Sequence, residues 1–342
     1  MILNKKVLIS LVTVFLILIS ILIVGCAMVN PKAATTTNTY PDRPITIIVP
    51  FSAGGSLDLI ARALEKTAVQ HLGQPMIVVN KPGAAGTLAW NELTGTTPDG
   101  YTIGITGVEI ILHPLYGLSK YNYPTSLEPL VQVSSSPFIM VVQANQPWQN
   151  VDDLVTDARQ HPGQLKFGNS GVGSLPHLLS EMFAQSTGIT LQPVPFQGGA
   201  ESLKSLLGGH VQAIFTSTAI VKEHLKNGTL RALAVTGEQR LADPVFANVP
   251  TFKELGKDIV FSYWIGVAAP KEMPLEIKEK LANGLKAIIA EPEFQKNVEN
   301  NGLQFEYLNP KEFQEKWLRD NETLSKTIKE TGILERIKEQ KK

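Results

Sequence analysis

Four short stretches place glycines directly after apolar or β-branched runs. Gly54-Gly55 follows ITIIV (45 to 49), Gly83 and Gly86 follow MIVV (76 to 79), Gly171 and Gly173 follow LKFGNS (165 to 170), and Gly198-Gly199 follows TLQPVPFQ (190 to 197). Each is succeeded by residues with helical spacing. A strand that feeds a helix through glycines brings several backbone N–H groups to one point with no intrahelical acceptor. The helix dipole adds partial positive charge there, so the chemistry of such a point is anion binding. In PFSAGGSLDLIARAL (50 to 64), Asp58 and Arg62 lie four apart on the expected helix and suit one another as an ion pair.

Reactive groups for catalysis do not assemble around these turns. GNSGVG (168 to 173) misses the nucleophile elbow G-x-S-x-G because its fifth residue is Val172, and it lacks the Gly-Lys-Ser/Thr ending of a Walker loop. GVGSLP (171 to 176) has no third glycine for a dinucleotide fingerprint. The six histidines never occur as H-x₃-H and a second cysteine is missing, so neither metal nor cofactor is expected. His71, His161, His210 and His224 sit among polar residues and read as solvated. His177 follows Pro176 at an expected helix start, where capping, packing or a pocket role are all open, and His113 is similar. Glu109 interrupts the apolar stretch IGITGVEIIL, where an unpaired buried carboxylate is costly. It reads either as an exposed loop acid or as a partner for a cationic group of a ligand.

The elements that must position these turns alternate strand and helix throughout, which predicts an α/β fold. Further strands are expected at YTIGIT (101 to 106), VQAIFTST (211 to 218), LRALAVTG (230 to 237) and FSYWIGVAAP (261 to 270). PLVQVSSSPFIMVVQA (129 to 144) holds two apolar stretches joined by three serines, long for one strand and suited to bridging two lobes. Two glycine junctions precede that crossing and two follow it. Ligands of open α/β sheets collect at the carboxyl ends of strands, so each lobe is expected to bring two helix N-termini to a shared cleft. After residue 270 two long amphipathic helices are expected, the later one opening on a capping box at Asn309 and Glu312.

The chain has 342 residues, 43% of them hydrophobic, enough for two lobes. Its 31 basic residues balance 31 acidic ones, and removing a leader that contains Lys5 and Lys6 leaves about −2. The absence of a long basic run or of aromatics interleaved with arginine argues against a nucleic-acid partner. The leader runs Lys5-Lys6, then eighteen apolar or hydroxyl residues (7 to 24), then Gly25-Cys26. As a helix that run spans ~27 Å, long enough for either a signal peptide or a membrane span. Cys26 is the only cysteine and has no disulfide partner. Ile23-Val24-Gly25-Cys26 resembles a lipobox, which implies cleavage before Cys26, its lipidation, and stable anchoring to the outer face of the cell membrane. Residues 27 to 41, small, polar and punctuated by proline, read as a tether.

Taken together, PFSAGGSLDLIARAL, VNKPGAAGTLAWNELTGTTPDGYTI, FGNSGVGSLPHLLSEMF, VPFQGGAESLKSLLGGHVQAIF and YWIGVAAP resemble, in order, segments of the Bug-type receptors. These are the extracytoplasmic solute-binding proteins of tripartite tricarboxylate transporters, and the likeness extends across about residues 40 to 335. The resemblance implies a two-lobed type II periplasmic-binding-protein fold, a Venus flytrap that closes over a small organic carboxylate and presents it to membrane permease subunits. It implies no enzymatic role, and a receptor that must open and close is expected to be a monomer. Carried over by position, the contacts are Ser52, Ala53, Gly54, Gly55, Ser56 and Asp58 at the first junction and Ala84, Ala85, Gly86 and Thr87 at the second. Asn169, Ser170, Gly171, Gly173, Ser174 and His177 form the third, and Phe196, Gly198, Gly199 and Ala200 the fourth. Ala53 stands where the family usually has proline, and Ala85 where it usually has glycine. GVEIILH (107 to 113) replaces a small polar run, and Glu109 within it argues against a tricarboxylate ligand through like-charge repulsion.

The expected organisation is a lipoprotein signal peptide over 1 to 25, a tether over 26 to 41, a first lobe from 42 to 136 and 263 to 342, and a second from 137 to 262. Hinge motion is expected near 134 to 137 and 260 to 264. A ligand-sensing receptor for a two-component kinase is the alternative function. A hydrolase is a third reading, for which the sequence pairs no nucleophile with a base.

Overall fold

The computed structural model describes residues 40 to 339. The leader, Cys26 and most of the tether lie outside them. Among the described residues no helix is long and apolar enough to cross a membrane.

The β-branched run Ile45–Val49 forms β1, buried along nearly its whole length. It pairs in parallel with β2 (Met76–Asn80) on one side and β3 (Thr102–Gly107) on the other. Helices α1 (Ser56–Leu72) and α2 (Thr87–Gly95) make the crossovers. The second half repeats the plan. There β5 (Lys166–Asn169) lies between β6 (Gln192–Pro195) and β7 (Ala213–Ser217), both parallel to it. The crossover helices are α5 (Leu175–Thr187) and α6 (Gly199–Leu207), with α3 (Glu109–Tyr116) and α4 (Val151–Gln160) intervening in sequence. In each half the first strand is central and the chain reverses direction beside it. A crevice opens at that point, outside the carboxyl ends of the strands.

One strand joins the halves. β4 (Leu127–Gln143) runs for 17 residues. Up to Pro137 it is antiparallel to β9 (Ser262–Pro270), with Leu127 opposite Pro270 and Pro137 opposite Ser262. From Phe138 it pairs instead with β7 and, on its other side, with β8 (Leu230–Val235). Thus the serine-containing stretch expected to bridge two lobes is one continuous strand that changes partners, and the fold is the two-lobed α/β architecture. The returning segment is clasped to it by Thr236. The Phe138 amide donates to Thr236 Oγ1 at 2.9 Å, that hydroxyl donates to the Phe261 carbonyl at 2.7 Å, and the Phe261 amide donates to the Thr236 carbonyl at 2.7 Å.

Both halves are covered by apolar layers. Ile139, Val141, Leu206, Ile214 and Phe246 centre one face of the second half. Phe167, Phe183, Phe215 and Phe252 interlock on the other, with ring centroids 5.4 to 6.4 Å apart. Helix α7 (Thr218–Lys226) lies between β7 and β8, and after β9 the chain forms α8 (Leu275–Ile289), α9 (Pro292–Asn300), β10 (Phe305–Leu308), α10 (Pro310–Thr331) and α11 (Ile333–Glu339). The two helices expected after residue 270 become four among the described residues. Pro292, which donates no N–H and suits only a helix start, divides the first of them. The Asn309–Glu312 capping box is present. Phe313 and Trp317 of α10 pack on Trp264, and α11 reaches α5 through Arg336 and Glu181, 3.3 Å apart.

Candidate functional site

At the first junction Asp58 turns back from α1 and fastens the loop. Its Oδ2 accepts from the Gly54 amide at 2.8 Å and from Arg62 Nε at 2.9 Å, and its Oδ1 accepts from Asn80 Nδ2 at 2.9 Å. Burial pushes the Asp58 pKa up, but the bonds from Arg62, Gly54 and Asn80 outweigh it and hold the acid below its ordinary value. Gly54 needs its glycine, having φ of +84°. The first amides of α1, on Ser56, Leu57 and Asp58, receive no side-chain cap.

The second junction is an unusual left-handed run. Gly83, Ala84, Ala85 and Gly86 all have positive φ, two of them alanines at +47° and +51°. Such a conformation costs an alanine about 1 kcal/mol or more. Thr87 Oγ1 donates to the Ala84 carbonyl and fixes the turn at 2.9 Å. The Ala85 methyl, which stands where the family usually has glycine, faces Gly171 of the other half.

At the third junction Asn169 Oδ1 accepts from the Gly171 amide at 2.9 Å, and His177 Nδ1 accepts from the Gly173 amide at 3.1 Å. His177 is fully buried behind the turn, with its other nitrogen 3.8 Å from Glu181. It acts on the loop from behind. Ser174 is buried at the N-cap of α5 without a side-chain capping bond.

The fourth junction meets the first. The Ser52 amide donates to the Gln197 carbonyl at 3.2 Å, and a Cβ on Gly198 would lie 2.6 Å from Ser52 Oγ, so glycine is what allows that approach. The first amides of α6, on Gly199, Ala200 and Glu201, receive no side-chain cap.

Two further junctions carry the site, and glycine pairs do not mark them. β3 ends at Gly107 and α3 starts with Glu109, which is 1% exposed. The exposed-loop reading of Glu109 is therefore corrected: the apolar residues after it form a buried helix, and they carry the acid inside. Its Oε1 accepts from the Leu175 amide at 3.3 Å and its Oε2 from the Tyr263 hydroxyl at 3.2 Å. Burial raises its pKa to about 7 against the pull of its own amide, Leu175 and Tyr263. In the other half β7 ends with Thr216 and Ser217, and Ser217 caps α7 by accepting from the Ala219 amide at 3.3 Å.

These pieces enclose an inner cavity of about 30 Å³, lined by Phe51, Gly55, Ser56, Leu57, Asp58, Glu109, Phe138, Ser170, Pro176, Gly199, Thr216, Ser217, Ile220 and Tyr263. A water needs roughly 10 to 15 Å³ of such space, so the cavity matches two or three such groups, the scale of one carboxylate. An outer groove of about 480 Å³ is lined by Gly83, Ala84, Ala85, Thr87, His113, Gly171, Phe196 and Glu201, among others. The first, third and fourth junctions thus share the inner cavity, whereas the second faces the outer groove with parts of the other two. Ser52, Ala53, Gly54, Gly86, Asn169, Gly173, Ser174, His177, Gly198 and Ala200 line neither space and shape the loops that do. Sequence reasoning missed Phe138 and Tyr263, whose rings lie 4.8 Å apart beside the strand crossing, and also Thr216, Ser217 and Ile220. The signal for Tyr263 was its position in the expected hinge at 260 to 264, and Phe138 lies one residue past the other hinge at 134 to 137.

Known proteins resemble this chain in sequence and in architecture. The sequence profile described as "Tripartite tricarboxylate transporter family receptor" matches residues 60 to 333. Protein BugT of Bordetella pertussis is 35% identical over 260 residues, covering 74% of this chain and 78% of BugT. The solved periplasmic binding protein BugD superimposes with a TM-score of 0.81 at 28% identity, over 86% of this chain and 99% of BugD. Rpa4515 of R. palustris, solved with adipate, gives 0.80 at 29% identity over 86% of this chain and 98% of its own.

Proposed function

The chain belongs to the tripartite tricarboxylate transporter receptor family, and from that membership we propose that its cleft captures a small carboxylate-bearing solute outside the cytoplasm and delivers it to the permease subunits of such a transporter. The observation that carries the reading is the meeting of uncapped helix N-termini from both halves, those of α1 and α6, on one carboxylate-sized cavity. That Rpa4515 is solved with adipate supports the ligand class.

Residues 42 to 136 and 263 to 342 form one lobe and 137 to 262 the other, closing by rotation about the crossings at Pro137–Phe138 and Phe261–Tyr263. The partner switch of β4 at Pro137 supports these boundaries. A ligand that touches both lobes prefers the closed arrangement, which supplies the closing energy. The receptor works as a monomer, held to the outer face of the cell membrane by lipid on Cys26 through the tether to residue 41. The carry-over residues of the four junctions bind or shape the site around the ligand.

Thermal-shift titration of the full-length protein in detergent with mono- and dicarboxylic acids, amino acids and sugars tests the reading. At least one acid is expected to raise the melting temperature with the logarithm of its concentration above Kd, with micromolar or tighter affinity. Silence to every acid combined with a response to sugars refutes it. Mass spectrometry of the mature N-terminus checks the anchor separately.

A further inference from the structure

Five helix starts, those of α1, α3, α5, α6 and α7, have residues on the inner cavity, and that of α5 already holds a carboxylate that belongs to the chain. Glu109 crosses from one half to the other and accepts the Leu175 amide, the first N–H of α5. The next residue, Pro176, has no N–H to offer. The amides of the preceding loop are also engaged, Gly171 by Asn169 and Gly173 by His177. The acid is held on its other oxygen by the Tyr263 hydroxyl. Gly107 makes room for this pair, because a Cβ there would lie 2.8 Å from Glu109 Oε2 and 2.3 Å from Tyr263 Oη. Asp58 borders the same cavity but spends its oxygens on Gly54, Arg62 and Asn80. Uncapped amides therefore remain at α1 and α6, facing space for one carboxylate.

We propose that Glu109 occupies, from within the chain, the anion position at the start of α5, and so makes the cleft selective for ligands with a single carboxylate over dicarboxylates of matching length. This rests on the receptor reading above. A second ligand carboxylate would have to lie beside Glu109 in a poorly solvated cavity or displace it from Leu175 and Tyr263, and either is unfavourable for the diacid alone.

The test is isothermal titration of the full-length wild type, E109Q and E109A with butyrate against succinate and hexanoate against adipate. At pH 8, above the value of about 7 to which burial raises it, Glu109 is mostly ionised. The wild type is expected to favour the monoacid of at least one pair at least tenfold. E109A, which vacates the Leu175 amide, should shift that ratio at least tenfold toward the diacid. E109Q, which keeps a carbonyl acceptor for Leu175, should shift it less; being nearly isosteric, it still carries the test should E109A fail to fold. Preference of the wild type for diacids, or parallel changes for both acids of a pair in the variants, overturns the proposal. So does a larger loss of an amino acid than of its plain acid in E109Q, which would place Glu109 on a ligand ammonium. If the wild type binds acids without the stated preference, this inference alone fails. If it binds none, the receptor reading fails first.

Discussion

Ala85 and Gly171 face each other across the two halves of the molecule: a Cβ built on Gly171 would lie 3.0 Å from Ala85 Cβ and 3.1 Å from Ala85 Cα. Gly171 also has φ of +115°. Gly171→Ala is therefore expected to strain its own loop by about 1 to 2 kcal/mol and to hold the halves apart at this contact. Ligand affinity should fall at least tenfold while circular dichroism stays native. Unchanged affinity would show that the contact has no part in closure.

Ala85→Gly is the converse case. It relieves a left-handed alanine, and the gain exceeds the added freedom of the unfolded chain where the strain is the larger of the two. An increase of up to about 1 kcal/mol in unfolding free energy is expected, read from the urea midpoint.

Thr236 holds both crossings with one hydroxyl. Thr236→Val keeps the shape but leaves the Phe138 amide and the Phe261 carbonyl without that partner, at a cost of about 2 to 3 kcal/mol. Thr236→Ser should recover most of it. Equal losses in Val and Ser would point to packing of the methyl group instead.

Glu109 makes stability depend on pH in a defined window. Its folded pKa, about 7, lies above the ordinary 4.5, so between those values the folded protein keeps a proton that the unfolded chain has released. Stability is greatest below pH 4.5 on this account and falls as pH rises toward 7, by about 3 kcal/mol at 1.36 kcal/mol per pKa unit. The groups around it are Tyr263 on β9, Tyr116 and His113 on its own helix, His177 on α5 and Asp58 on α1. Both tyrosines are pushed up by burial first and by Glu109 second, and so stay neutral. Asp58 is held low and remains ionised across the window. Subtracting the profile of E109Q from that of the wild type removes what the two proteins have in common, and the difference should carry the slope.

Asp58 acts in the opposite sense. Its lowered pKa contributes stability above its ordinary 3.8 that is lost as pH falls through the folded value. Asp58→Asn is expected to cost about 1 to 3 kcal/mol by weakening its bonds to Gly54 and Arg62. It should also weaken ligand binding through the loosened start of α1, measured by calorimetry.

Much of this was legible from residue order because glycine junctions and β-branched runs are local signals. The strands at 45 to 49 and 262 to 270 and the four glycine turns lie within a residue or two of where the pattern put them. The exposed-loop reading of Glu109 fails because its burial depends on α5 and β9, remote in sequence. Thr216 and Ser217 escape notice for the same reason: nothing in their neighbours says that six strand ends converge. Asp58 and His177 show a different limit, since polar groups beside a glycine turn serve the turn itself as readily as a ligand.

The partner exchange along β4 also sets an order of events in folding. Residues 138 to 143 find their neighbours β7 and β8 before position 236, whereas 127 to 137 must wait for β9, whose residues come only after position 261. As the chain emerges from its N-terminus, the later half can therefore condense while the earlier one still exposes an unpaired edge. That interval is when a chaperone has most to protect.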